Sequence, residues 1–160
     1  MKILVDADSC PVRAREIIMS SAKRLNIEAV FAANRSIPNI KGNKIRMEIC
    51  GTGEGAADQR ILELAETGDL VVSRDIPLAQ KLIAKDVAVI NDRGREYNRE
   101  NINESLSLRN FTVGLANNGM DFERAASYSK KEIQKFAASL DRILSKLSYI
   151  KLQKETADTH

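Results

Sequence analysis

Short apolar runs alternate with longer stretches in which apolar residues recur every three or four positions, and the alternation continues to Ile90. The first run, Ile3-Leu4-Val5, stops at Asp6-Ala7-Asp8 and is followed by Ser9-Cys10-Pro11. This order reads as strand, acidic loop and helix. Pro11 suits a first helical turn, and Ile17, Ile18, Ala22 and Leu25 supply one apolar stripe. A second strand, 29–33, ends at Asn34-Arg35. A polar loop with Pro38 and Gly42 leads to the alternation Ile45/Met47/Ile49, the mark of a half-exposed strand. Gly51, Gly53 and Gly55 precede a helix expected from about Ala56 to Glu66. Gly68-Asp69 then turns the chain into a strand from Leu70 to Ser73. A helix from about Ile76 to Lys85 and a strand from Val87 to Ile90 follow.

Strands that alternate with helices of this length predict an α/β protein. The expected architecture is a three-layer, Rossmann-like fold: about five mainly parallel strands, helices on both faces and extra C-terminal helices. Beyond Asn91 the pattern turns helical. One segment carries Leu106, Asn110, Val113 and Leu115; another carries the stripe Ile133, Phe136, Ala137, Leu140, Ile143, Leu144 and Leu147. From about Lys151 the residues are polar and without period, which predicts a flexible tail over 151–160 behind a single domain, 1–150. A chain of 160 residues is long enough for a proper core and short for two domains.

Composition changes this picture little. Hydrophobic residues make up 43% and charged residues 29%, ordinary values for a soluble globular protein. A net charge of +3 does not by itself imply polyanion binding, but its distribution is uneven. Arg35, Lys41, Lys44 and Arg46 form one acid-free basic group, and Arg93, Arg95 and Arg99 a second; each is either a solvated face or a phosphate contact. Cys10 and Cys50 show neither CxxC spacing nor a neighbouring histidine, and the one histidine is His160. Zinc sites and histidine-based catalysis are thereby set aside. Two unpaired thiols, too few apolar residues after Lys2 for a signal-peptide core, and no run of about 20 apolar residues together predict a cytoplasmic protein.

The candidate chemistry lies in the aspartates. Asp6 closes a buried strand, and Asp75 follows the strand that ends at Ser73. In a parallel α/β sheet the C-terminal strand ends near the topological switch point are where ligands bind. Asp58 precedes Ile61, Leu62 and Ala65 by three, four and seven residues, so it occupies the apolar face of its helix, where an ionised carboxylate needs a partner. Asp8 and Asp75 also suit helix N-caps, and Asp58 the positive end of a helix dipole. Four acids at one edge would repel one another and raise their own pKa values; bound Mg²⁺ or Mn²⁺ would relieve that. Ser73 points to the same side and is placed to orient a carboxylate or water. Asp92 is on the same edge as a weaker candidate, whereas Asp69 precedes its strand and belongs to the opposite edge in a turn role.

These motifs resemble known proteins. Ala57-Asp58-Gln59-x-Ile61 with Gly68-Asp69-Leu70-Val71-Val72-Ser73-x-Asp75 looks like the second half of the PIN/NYN nuclease superfamily. Val5-Asp6-Ala7-Asp8-x-Cys10-Pro11, Ala33-Asn34-x-Ser36, Asp75-Ile76-Pro77-Leu78-Ala79 and Arg93-Gly94-x-x-Tyr97 look like the bacterial YaiI/YqxD family. The Arg109-x-Phe111 segment and the Phe136-Ala137 helix extend that resemblance to about residue 147. What it implies is a PIN-like domain whose Asp6, Asp58 and Asp75 match metal-binding, catalytic acids, with Asp8 matching the second acid of an Asp-x-Asp. The glutamate that PIN nucleases carry between the first two aspartates has no counterpart in context; Glu48 and Glu54 are the residues within reach.

The leading expectation is a divalent-metal-dependent phosphodiesterase acting on RNA. Asp6, Asp8, Asp58 and Asp75 would hold Mg²⁺ or Mn²⁺, and Asn34, Arg35, Ser73 and Arg93 would meet the substrate. A non-catalytic RNA- or protein-binding module is the alternative, and a homo-oligomer stays open. A haloacid-dehalogenase-type phosphatase shares the strand-Asp-x-Asp start but expects Ser or Thr where Cys10-Pro11 stands, and its Gly-Asp pair here precedes a strand.

Overall fold

The computed structural model describes residues 1–117 and 128–158, and for residues 113–117 the backbone alone. The chain runs β1 (Lys2–Asp6), α1 (Val12–Leu25), β2 (Glu28–Ala33), β3 (Ile45–Ile49), α2 (Ala56–Leu64), β4 (Leu70–Val72), α3 (Ile76–Ala84), β5 (Ala88–Ile90), β6 (Glu96–Tyr97), α4 (Ile102–Asn117) and α5 (Lys130–Asp158). The strands form one sheet in the order β3-β2-β1-β4-β5-β6. All neighbours are parallel except β5 and β6. Winding runs outward one way from β1 to β3 and the other way from β4 to β6, so the switch point lies between β1 and β4.

Each face of the sheet carries its own apolar cluster, because successive strand side chains point to opposite sides. Ile3, Val5, Phe31, Leu70 and Val72 pack with Ala14, Ile18 and Ala22 of α1 and Phe136, Leu140, Ile143 and Leu144 of α5. Leu4, Val30, Val71 and Val89 pack with Ala57 and Ile61 of α2, Leu78, Ala79, Leu82 and Ile83 of α3 and Ile102 of α4. This is the three-layer α/β architecture expected from the pattern. Phe31 and Phe136 are fully buried, and truncating either to alanine would cost about 3–5 kcal/mol.

Two features depart from the expectation. A sixth strand, β6, adds to the five read from the sequence; two residues are too few to show a period. The segment from Lys151, expected as a tail without structure, continues α5 as far as Asp158, with every side chain from Lys151 to Asp158 exposed. No Gly or Pro interrupts the stretch 130–160, so nothing in the sequence stops the helix where its apolar stripe ends. Val113 and Leu115 lie in α4, outside the described side chains.

At the N-terminal edge Asp69 takes the turn role expected of it. The residue is 3% exposed, and its carboxylate accepts from Lys2 N (3.0 Å), Lys2 Nζ (2.7 Å) and Glu66 N (2.9 Å), tying the start of β1 to the turn before β4. Gly94, in the β5–β6 turn, has φ +85°, and a Cβ there would meet Lys135 O of α5 at 2.6 Å. Ser139 Oγ donates to Gly94 O at 2.7 Å, which seats the turn on that helix.

Candidate functional site at the switch point

Asp6 ends β1 with the parity of Leu4 and therefore leans towards the α2 side of the sheet. Its Oδ2 accepts from Ser9 Oγ (3.0 Å) and, more weakly, from Ser73 Oγ (3.4 Å). Ser73 in turn accepts from Asp75 N at 3.0 Å, so one hydroxyl links the acids that follow β1 and β4. Asp75 is the N-cap of α3, accepting from Leu78 N at 2.8 Å, with Pro77 in the first turn. The cap reading is correct for Asp75 and coexists with a place in the cluster: one oxygen caps, and the carboxyl also meets Asp58 of α2 through a side-chain hydrogen bond.

A hydrogen bond between two carboxyls requires a proton on one of them. The Asp58 pKa is raised to about 7, first by burial, next by the bond to Asp75, then by the charges of Asp75 and Asp6; Lys81 opposes the shift. Asp6 is also raised, chiefly by burial, with the Ser9 and Ser73 hydroxyls pulling it down and the charges of Asp8 and Asp75 pushing it up. The Asp58–Asp75 pair faces a cleft of about 200 Å³ between α2 and α3, lined also by Gln59, Leu62 and Lys81. Sequence reasoning missed Lys81; its signal was the helical spacing from Pro77 and Leu78 along the same face.

Asp8 is set apart from this pair. The structure gives α1 no side-chain cap, its N-cap residue being Pro11, so Asp8 does not cap it. Its Oδ2 instead accepts from Asn34 N at 2.8 Å, fastening the β1–α1 loop to the end of β2. Asn34 therefore enters the site through its backbone. Asp8 and Arg35 line a separate cavity on the α1 side of the loop. Arg93 leans towards the start of α5, with Nη1 3.9 Å from Glu132 Oε1. Asp92, 3% exposed, is held by Arg74 through Nε (3.0 Å) and Nη2 (2.6 Å), a bidentate pair that spends its charge. Glu48 is bound by Arg46 and Arg60 on the outer edge of the sheet, which lowers its pKa and takes it away from the acids.

Among the described residues no group of three or more His, Cys, Asp or Glu side chains is placed to hold a metal ion. The donor chemistry nevertheless fits a hard cation. Asp6, Asp58 and Asp75 offer only oxygen, burial and then the neighbouring carboxylates raise the pKa values of Asp58 and Asp6, and Mg²⁺ usually binds one or two carboxylates together with water and substrate phosphates.

The fold is of the Rossmann-like, three-layer α/β class, with Asp6, Ser73 and Asp75 at the strand ends beside its switch point. Residues 4–146 match the family described as "Uncharacterized BCR, YaiI/YqxD family", and the chain belongs to that family. A UPF0178 protein of Treponema denticola is 51% identical over 146 residues, covering 91% of this chain and 93% of its own length. UPF0178 proteins of Treponema pallidum (41% identical over 155 residues, 97% and 88% covered) and Myxococcus xanthus (40% identical over 147 residues, 92% and 96% covered) are also similar. No solved structure matches the chain. No helix among the described residues is long and apolar enough to cross a membrane.

Proposed function

We propose that the switch-point acids form the centre of a divalent-cation-dependent phosphodiesterase that cleaves RNA, in a PIN-like domain. The observation that carries this reading is the Asp58–Asp75 carboxyl pair, with Asp6 near enough to raise the Asp58 pKa, at the strand ends where α/β sheets bind ligands. Asp58, Asp75 and Asp6 would hold Mg²⁺ or Mn²⁺, which when bound would supply charge neutralisation at the phosphate and a more acidic water.

The protein's own groups do the rest. The α3 cap and the Ser73 hydroxyl hold Asp75 in place before substrate arrives, so little reorganisation remains. Ser9 and Ser73 orient Asp6. Asp58, its pKa raised to about 7 by burial and by the neighbouring Asp75, is matched to accept a proton from attacking water. Arg35 supplies a guanidinium suited to a phosphate oxygen.

The test is purified protein with single-stranded and structured RNAs under Mg²⁺, Mn²⁺ or chelator, beside Asp75→Asn and Asp58→Asn. Cation-dependent cleavage that both substitutions abolish is the expected result. Cleavage that persists in both variants identifies a contaminant, and no cleavage of any RNA by wild type moves the assignment to a non-catalytic binding module.

A further inference from the structure

On the α1 side of the β1–α1 loop lies a cavity of about 340 Å³ lined by Ala7, Asp8, Cys10, Arg15, Arg35, Ser36, Ile37 and Pro38. Arg15 comes from the first turns of α1 and Arg35 from the loop after β2, so two guanidinium groups reach one cavity from different elements. Arg15 Nε is buried without a hydrogen-bond partner, the one such side-chain atom among the described residues. A buried donor left unpaired costs about 1–3 kcal/mol, more on a charged group, and calls for an explanation. Burial of the α1 face does not supply one, because the walls offer Arg15 no carboxylate other than exposed Asp8, whose Oδ2 is engaged by Asn34 N.

We propose that Arg15 and Arg35 form a subsite for a phosphate of the RNA strand, one that flanks the bond cleaved at the Asp58–Asp75 pair. The chemistry of the lining selects that ligand. Two guanidinium groups and the Ser36 hydroxyl are donors that match phosphate oxygens, and the guanidinium fork binds them in pairs. Asp8 on the rim opposes an anion, but two cations against one carboxylate leave the cavity positive. Helix α1 begins at this wall without a side-chain cap, which adds the favourable end of its dipole. Asp8 also touches the electrostatics of Asp6, so cavity and acids adjoin across a single loop. A strand with one phosphate at the arginines therefore has a neighbouring backbone segment at the acids. Placing the subsite beside the cleavage centre rests on the phosphodiesterase reading; anion binding at the arginines does not.

The experiment separates the two. Binding of a fluorescent single-stranded oligoribonucleotide is measured in chelator, where cleavage is off, for wild type, Arg15→Gln and Arg35→Gln, across a salt series. Each arginine substitution should weaken binding about tenfold and lower the salt slope by about one. Inorganic phosphate should raise the melting temperature of wild type and leave the double arginine variant unmoved; Arg35 is exposed, so Arg35→Gln reads the site even if Arg15→Gln folds poorly. Unchanged RNA affinity in Arg35→Gln and in folded Arg15→Gln overturns the subsite and leaves the cleavage proposal standing. Weakened binding by both with no cleavage by wild type upholds the subsite and removes the catalytic reading. A phosphate response without any change in RNA affinity assigns the cavity to a free anion and overturns the strand-phosphate proposal.

Discussion

Replacing Asp58 by asparagine should change how stability depends on pH. In the native protein Asp58 holds its proton to about pH 7, whereas in the unfolded chain it releases it near the ordinary aspartate value of 3.8. Between those values the native state binds more protons than the unfolded state, so stability is full below about pH 4 and is lost as pH rises through about 7. The carboxyl is only partly buried, and solvent screening reduces the effect to about 1–2 kcal/mol. Asp6 and Asp75 raise the shift and Lys81 lowers it, so these are the neighbours to hold constant. The carboxamide in Asp58→Asn cannot ionise, and it keeps the shape and a donor towards Asp75. Urea denaturation in chelator at a series of pH values from 4 to 8 should show a declining arm in wild type that is absent in Asp58→Asn. The variant should then be the more stable of the two at pH 8. Adding Mg²⁺ at pH 8 should restore wild type and have no such effect on the variant. Parallel profiles for the two proteins would refute the shared-proton account of this pair.

Gly94→Ala should destabilise the fold by about 2–4 kcal/mol in urea, since a Cβ both opposes φ +85° and meets Lys135 O at 2.6 Å. Asp69→Ala should cost about 3 kcal/mol by stranding Lys2 and two backbone N–H groups at the edge away from the acids, with RNA affinity per folded molecule unchanged. Cys10 is 8% exposed and its thiol is pushed up to about 12, first by burial and then by the Asp92 charge. Iodoacetamide at pH 8 should therefore label Cys10 only at the rate of unfolding, which labelling with and without urea will check; both cysteines are unpaired.

The fold was legible because its signals are local. The runs Ile3–Val5 and Leu70–Val72, and the stripe through Phe136 and Leu144, each carry their own period. Asp6 and Asp58 stood out because an acid closing an apolar run, or occupying an apolar helix face, contradicts its surroundings. Arg15 and Arg74 gave no such sign, since each is an ordinary helix or loop cation until the chain folds. Arg74 meets Asp92 across the ends of β4 and β5, and Arg15 meets the loop after β2; neither partner is near in sequence. Asp8 misled for a related reason. Its position before Pro11 suited a cap, but the competing donor, a free N–H at Asn34, exists only once β1 and β2 pair. The last turns of α5 escaped because a period search finds buried faces, and Tyr149 and Leu152 there are exposed.

The pairing of β1 with β4 spans three residue pairs, Ile3↔Leu70, Leu4↔Val71 and Val5↔Val72, and joins the halves of the sheet that supply Asp6 and Asp75. That contact closes a loop of more than sixty residues, which places it among the slower events of folding. During synthesis, β1, α1 and β2 can assemble while Asp75 is still unmade, so a partial chain carries Asp6 and no partner for it. The meeting of Asp6 with the β4 end is thus a late arrival in the life of the molecule. It comes into being with the central seam and vanishes when the seam opens, so Asp6 joins the Asp58–Asp75 pair only in the whole sheet.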